Sequence, residues 1–262
     1  MRAERGIFAA RFRALLQYRA AAIAGLFTQA FWGGIRMMIF IAFYASTDQP
    51  MPMTLEQTIS YVWLGQAFLL LFPFRADPDI VAMIRDGSVA FELLRPRGLW
   101  RLWYARALAT RIAPVLLRCV PMLIFATATG WIQWAGPAGI LAGLSALLLA
   151  AAISAALSVL MSVTLFWTIS GEGINTMMVS AMFLLSGMIV PLPLMPEPLA
   201  SIVAVLPFRA MGDVPFRLLT GVMPAGAVFG EWIFQLAWLA GLIVLGRLLL
   251  AMGLRRLVVQ GG

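Results

Sequence analysis

The chain has 262 residues, of which 62% are apolar and only 11% charged, and its mean hydropathy is +0.93. A soluble domain carries about 25% charged residues, so this composition excludes a soluble globular enzyme and a disordered tail and makes the bilayer the expected solvent. All 19 basic residues are arginine, the net charge is +8, and lysine and histidine are absent. No Walker A lysine, Ser–His or Ser–Lys pair, or zinc ligand set can therefore be built around the single Cys119, and neither ATP hydrolysis nor metal chemistry is expected of this chain.

Taken in chain order, residues 7–18 are amphipathic. Ile7, Phe8, Phe12, Leu15 and Leu16 share a helical face, while Arg11, Arg13 and Gln17 lie off its centre, so an N-terminal interfacial helix is expected. No small-residue cleavage site follows a short apolar core, which argues against a signal peptide. A spanning helix needs about 20 mainly apolar residues, and six candidates follow, at 20–44, 57–74, 112–129, 138–167, 174–190 and 232–252. Arg36 stands inside the first. A charge at that depth is a functional candidate by default, with Glu231, Glu56 or Asp48 as partners and snorkelling to the outer headgroups as the plain alternative. Gln66 in the second candidate and Gln235 in the sixth line a path or, more simply, hydrogen-bond neighbouring helices.

The loop from Arg75 to Arg111 carries the densest chemistry. Asp77 and Pro78 suit an N-cap and first helical position, Ile80, Val81 and Ile84 give an apolar face, and Gly87 suits a C′ stop. A second short piece should end before Pro96. Phe91, Leu93 and Leu94 ask for a protein groove or the membrane surface. Asp77, Asp79 and Asp86 lie among arginines rather than within a span, which argues against an aspartyl dyad. In the fourth candidate, Ala142, Ala146, Ala150, Ser154, Ser158 and Ser162 recur every four residues, a smooth ridge for close packing within the chain before packing between chains. Residues 191–230 hold seven of the 15 prolines. They read as an irregular outer, re-entrant segment with short helices at 199–206 and 214–219, in which Pro191, Pro207 and Phe208 form an external gate or a plain apolar cap.

Arginine placement sets the orientation. Arg2, Arg5, Arg11, Arg13 and Arg19 precede the first candidate span. Arg75, Arg85, Arg95, Arg97, Arg101, Arg106 and Arg111 lie between the second and third, and Arg247, Arg255 and Arg256 end the sixth. Basic loops stay in the cytoplasm, which gives six spans with both termini inside. Only Arg209 and Arg217 fall in the outer segment. The positive charge then sets topology and meets anionic headgroups, with no nucleic acid as partner.

Six spans, a basic interfacial helix, a loaded loop after the second span and a proline-rich outer segment resemble the membrane permease of ABC-2 type ABC transporters. More narrowly, Tyr61-Val62-Trp63-Leu64-Gly65-Gln66-Ala67, Ile84-Arg85-Asp86-Gly87, Glu92-Leu93-Leu94-Arg95-Pro96 and Leu206-Pro207-Phe208 are similar to a bacterial subfamily with a Trp-x-Gly-Gln-Ala second span. The resemblance implies an all-α polytopic membrane protein, a single transmembrane domain over residues 1–262, in the bacterial inner membrane. It implies a transport subunit that works with a second permease, alike or paralogous, and with separate ABC ATPase subunits that bind ATP and Mg. The expected activity is export of a hydrophobic or amphiphilic compound. Residues 77–96 would contain the coupling helix, with Asp79, Arg85, Asp86, Glu92 and Arg95 toward the ATPase, and Ser170–Gly173 would be the second cytoplasmic turn. The competing classes are a membrane scaffold and a stand-alone secondary transporter or channel. The latter would need paired intramembrane acids or a polar stripe, which spans three to six barely show.

Overall fold

The computed structural model describes residues 2–17, 19–93, 98–168 and 171–256. Tyr18, Leu94, Arg95, Pro96, Arg97 and Ser170, all given roles above, lie outside them. In chain order the helices are α1 (Arg2–Leu16), α2 (Arg19–Ala45), α3 (Leu55–Ala67), α4 (Pro78–Arg85), α5 (Val89–Leu93), α6 (Leu99–Ala128), α7 (Pro137–Val163), α8 (Glu172–Leu185), α9 (Glu197–Val205), α10 (Asp213–Leu219) and α11 (Val228–Leu254). Among the described residues there is no strand.

Four helices, α2, α6, α7 and α11, are long and apolar enough to cross a membrane. The second and fifth candidate spans are shorter than the sequence implied: α3 has 13 residues and α8 has 14, about 20 Å of helix each against a hydrocarbon core of about 30 Å. The reason is local. A reciprocal Thr54–Gln57 capping box starts α3. The chain tightens into a 3-10 turn at Leu69–Leu71, and Pro73 then removes a donor. From Tyr61 to Ala67 every α3 residue is buried, so protein rather than lipid surrounds it. Gly171 and Gly187, both at positive φ, bracket α8. The third candidate begins earlier than expected, at Leu99, because Leu99, Trp100, Leu102 and Trp103 supply a buried face ahead of the apolar run; Pro114 and Pro121 lie inside this helix.

Hydrogen bonds sort the helix ends into two sets. At the arginine-rich end, Arg111 Nη1 donates to Phe72 O at 2.9 Å, Ala76 N to Asn175 Oδ1 at 3.1 Å and Asp77 N to Ser162 Oγ at 3.2 Å. At the proline-rich end, Tyr44 Oη donates to Met53 O at 2.8 Å, Gln133 N to Ser60 Oγ at 2.9 Å, Ala135 N to Leu219 O at 2.8 Å and Trp232 Nε1 to Ser145 Oγ at 3.0 Å. The segments α2, α3, α6, α7, α8 and α11 thus alternate in direction between the two ends. The N-terminal helix is no isolated surface element: α1 packs along α6.

The central element is α7. All six residues of its small-residue ridge are buried, and the ridge serves packing within the chain. Ala142 and Ala146 meet Val214 and Leu218 of α10, and a Cβ on Gly143 would stand 2.5 Å from Leu219 Cγ. The serines are hydrogen-bonded: Ser154 to Leu71 O, Ser158 to Arg111 and Ser162 to the Asp77 N–H. Adding bulk to this seam should be destabilising. Ala150→Leu is expected to cost about 1–3 kcal/mol, read as a lower thermal midpoint of the purified protein. Leu148→Ala, at a side chain 74% exposed on the same helix, should leave the midpoint unchanged.

Candidate functional site

The arginine-rich loop folds into the two short helices marked in its sequence. Asp77 Oδ1 accepts the Asp79 N–H at 3.0 Å and Pro78 takes the first position, which starts α4. Gly87, at φ +76°, stops it. The Asp86 carboxylate accepts the Ser88 N–H at 2.8 Å, and hydrogen bonds from the Ser88 hydroxyl and backbone hold this carboxyl below its ordinary value. Ile80 and Val89 turn inward to a cluster with Trp100 and Trp103. Arg85 and Asp86 lie at the surface and Phe91 is 72% exposed.

Two arginines on α6 fasten this loop to the bundle. Arg106 grips Asp77 through both oxygens, Nε to Oδ2 at 2.7 Å and Nη2 to Oδ1 at 3.2 Å, and also bonds Asp79. Arg11 of α1 reaches Asp79 Oδ2 at 3.4 Å. One charge network therefore joins α1, α4 and α6. Arg111, buried, donates to Phe72 O and, at 3.1 Å, to Ser158 Oγ. Sequence reading counted these two arginines only as topology signals; their place within an otherwise apolar helix was the clue to more. It also set Asp79 toward a partner, whereas the structure engages its carboxylate with Arg106 and Arg11 and leaves the side chain 57% exposed.

At the proline-rich end Asp213 is fully buried. Its Oδ2 lies 3.3 Å from Arg217 and 3.8 Å from Arg209, and its Oδ1 accepts from Tyr61 Oη at 3.4 Å. Burial pushes the Asp213 carboxyl up, opposed by Arg217 and Arg209. Arg209 also pairs with Glu231 at 2.6 Å and lies 4.5 Å from the Phe234 ring centroid. Glu231 is therefore the partner of Arg209 and not of Arg36. Gln235, fully buried, donates to Ala146 O at 3.0 Å and Ala210 O at 2.8 Å, which ties α11 to α7 and to the turn before α10. The short helices expected in this segment are α9 and α10.

Arg36 is partly buried on α2. Its Nη1 donates to Met188 O at 2.9 Å. The Gln66 amide, oriented with its oxygen toward Arg36, accepts from Nη1 at 3.3 Å while its nitrogen donates to Gln29 O at 3.3 Å. Among the described residues no carboxylate pairs with Arg36, so Asp48, Glu56 and Glu231 all fail as its expected partners. Trp32, Ile39, Phe40, Ile189 and Leu194 join Arg36 in a groove of about 470 Å³.

A family model described as ABC-2 family transporter protein matches residues 30–261. The chain belongs to that family. It is a multi-pass membrane permease component of an ABC transporter, a transport subunit rather than an enzyme. The match begins within α2, so α1 lies before it. No curated protein and no solved structure matches the chain.

In this ABC-2 permease the residues singled out from sequence occupy three places. Asp79, Arg85, Asp86 and Glu92 lie on α4, α5 and the turn between them, at the arginine-rich end; Arg95 is outside the described residues. Arg36 and Gln66 meet between α2 and α3. Gln235, Pro191, Pro207 and Phe208 belong to the proline-rich end, on separate turns: Pro191 opens the one-turn helix Leu192–Leu194, and Pro207 and Phe208 open the turn that leads to α10.

Two changes test the geometry. Arg106→Gln leaves the buried Asp77 carboxylate without its cation and should cost about 3 kcal/mol, with faster amide exchange across 78–93 as the local signature. Arg209→Gln strands Glu231 similarly; adding Glu231→Gln should recover part of the lost thermal stability, a positive coupling in a double-mutant cycle.

Proposed function

We propose that this permease forms, with a second permease chain alike or paralogous, the translocation path of an ATP-driven exporter for a hydrophobic or amphiphilic compound. Separate ABC ATPase subunits bind ATP and Mg and dock on the α4–α5 loop. The chain makes six spans in a bacterial inner membrane with both termini in the cytoplasm; α3 crosses inside a covering of neighbouring protein, and α8 completes its crossing with the turns that flank it.

The observation that carries this reading is the loop's construction. It offers Arg85, Asp86 and Phe91 outward on a base that Arg106 and Arg11 lock to α6 and α1. A push on such a loop moves three helices together instead of being absorbed in a flexible link. The missing lysine supports the same division, since the phosphate-gripping residue has to come from another chain. ATP-driven closure of the ATPase pair shifts the permease between inward- and outward-open states by the difference in docking energy between them. Arg36, steadied by the buried Gln66, supplies hydrogen-bonding capacity on an otherwise apolar groove wall. A secondary transporter is disfavoured because the buried Asp213 and the partly buried Glu231 are both engaged by arginines.

The test is reconstitution with the ATPase in nanodiscs. Arg85→Ala combined with Phe91→Ala should lower permease-dependent ATP hydrolysis at least ten-fold while the permease remains folded and inserted. Wild-type hydrolysis by that variant would overturn the coupling assignment, and cargo movement by the permease alone, without nucleotide, would overturn the whole reading.

A further inference from the structure

Two adjoining hollows of about 640 and 550 Å³ run along the first turns of α6, where α1 and α11 flank it. They share Trp100, Arg101 and Arg247. Arg5 and Glu4 of α1 line one side, so three guanidiniums face one carboxylate. Arg5, Arg101 and Arg247 are exposed and, among the described residues, carry no ion pair or side-chain hydrogen bond. In this they differ from Arg106, Arg111, Arg209 and Arg217, each of which is held by the protein.

The surroundings are apolar. Phe8, Leu108, Ile243, Leu250 and Leu254 line the hollows. The Trp100 ring seats on Gly246, where any Cβ would collide with it, and this close approach brings Arg247 beside Arg101 in both hollows. Arg247 stands two turns before the end of α11, about 10 Å inside an apolar helix. A 27-residue helix is about 40 Å long against a hydrocarbon core of about 30 Å. With α11 centred in the bilayer, Arg247 therefore falls at the boundary between acyl chains and headgroups, a level that suits a lipid phosphate better than an acidic loop of a water-soluble subunit.

We propose that this groove is a binding site for an anionic phospholipid. Arg101 and Arg247 hold the headgroup phosphate, with Arg5 as a further donor, and an acyl chain lies along Leu108, Ile243 and Leu250. Guanidiniums suit this task because their N–H groups match phosphate oxygens in pairs, and basic pockets between spanning helices are where such headgroups are retained. The site ties α1, α6 and α11 together at the end that carries the α4–α5 loop. Only the assignment to the inner leaflet rests on the orientation given under the proposed function.

Native mass spectrometry of the purified permease, titrated with cardiolipin or phosphatidylethanolamine, tests this. Wild type should retain cardiolipin at least ten-fold more strongly. Arg101→Gln combined with Arg247→Gln should abolish the preference without changing the thermal midpoint. Arg255→Gln combined with Arg256→Gln, which removes equal charge from the same end, should keep it. No preference in wild type, or equal loss in both double variants, overturns the site. Unchanged lipid binding with lost ATPase association in the Arg101/Arg247 variant also overturns it and gives the face to the ATPase. A cysteine at position 101 labelled only from outside the cell would overturn the orientation and leave the lipid preference standing, so the two failures are distinct.

Discussion

The arginine-rich end depends on one residue, Asp77. Its carboxylate caps α4 through the Asp79 N–H and takes both arms of the Arg106 guanidinium, while its own N–H goes to Ser162 of α7. Four elements, α3 by chain continuity and α4, α6 and α7 by hydrogen bonds, are registered against a single side chain and peptide. A buried carboxylate is costly unless its partners are complete, so the arrangement holds together as a set or not at all. The α4–α5 loop consequently belongs to the bundle and is not a tether hanging from it.

Asp213 has a parallel role at the other end. Its N–H donates to Ser186 O, joining the outer segment to the end of α8, and its carboxylate is shared by Arg209, Arg217 and Tyr61. Each end of the molecule is thus organised by an aspartate between arginines. The difference is in what remains exposed. Arg209 and Arg217 are both matched by acids inside the protein, so the proline-rich end leaves neither arginine unmatched and exposes instead the carboxylates of Asp48, Glu56 and Glu197. Arg5, Arg101 and Arg247 are left to the surroundings. Net charge per loop, which orients a membrane chain, therefore understates the contrast between the two faces.

Much of this was legible in the sequence because it is written locally. The Asp77–Pro78 start, the Gly87 stop, the two short outer helices and the spacing of small residues along α7 each depend on a few neighbouring residues, and each was recovered. The partners of the charged groups were not. Arg36 pairs with a carbonyl and an amide, and Glu231 with Arg209; such pairings join residues far apart in the chain, and no local pattern encodes them. The length of α3 was overestimated for a related reason. Apolar residues continue to Phe74, but Phe68 and Pro73 end regular helix, and hydropathy registers the apolar run without registering the break. Membership of the ABC-2 family, by contrast, followed from the order of apolar runs, the arginine-rich loop and the proline-rich segment along the chain, and the family match from 30 to 261 bears it out.

The two prolines inside α6 have a mechanical consequence. Arg106 and Arg111 both precede Pro114, and each proline deprives a carbonyl one turn back of its helical donor, Thr110 O for Pro114 and Leu117 O for Pro121. The rod that carries the loop is therefore stiff where it is gripped and compliant further along. The foot is also bonded to α7, through Arg111 to Ser158 and Tyr104 to Ala152 O, so loop, foot and the end of α7 form one block and any bend in α6 falls beyond Pro114.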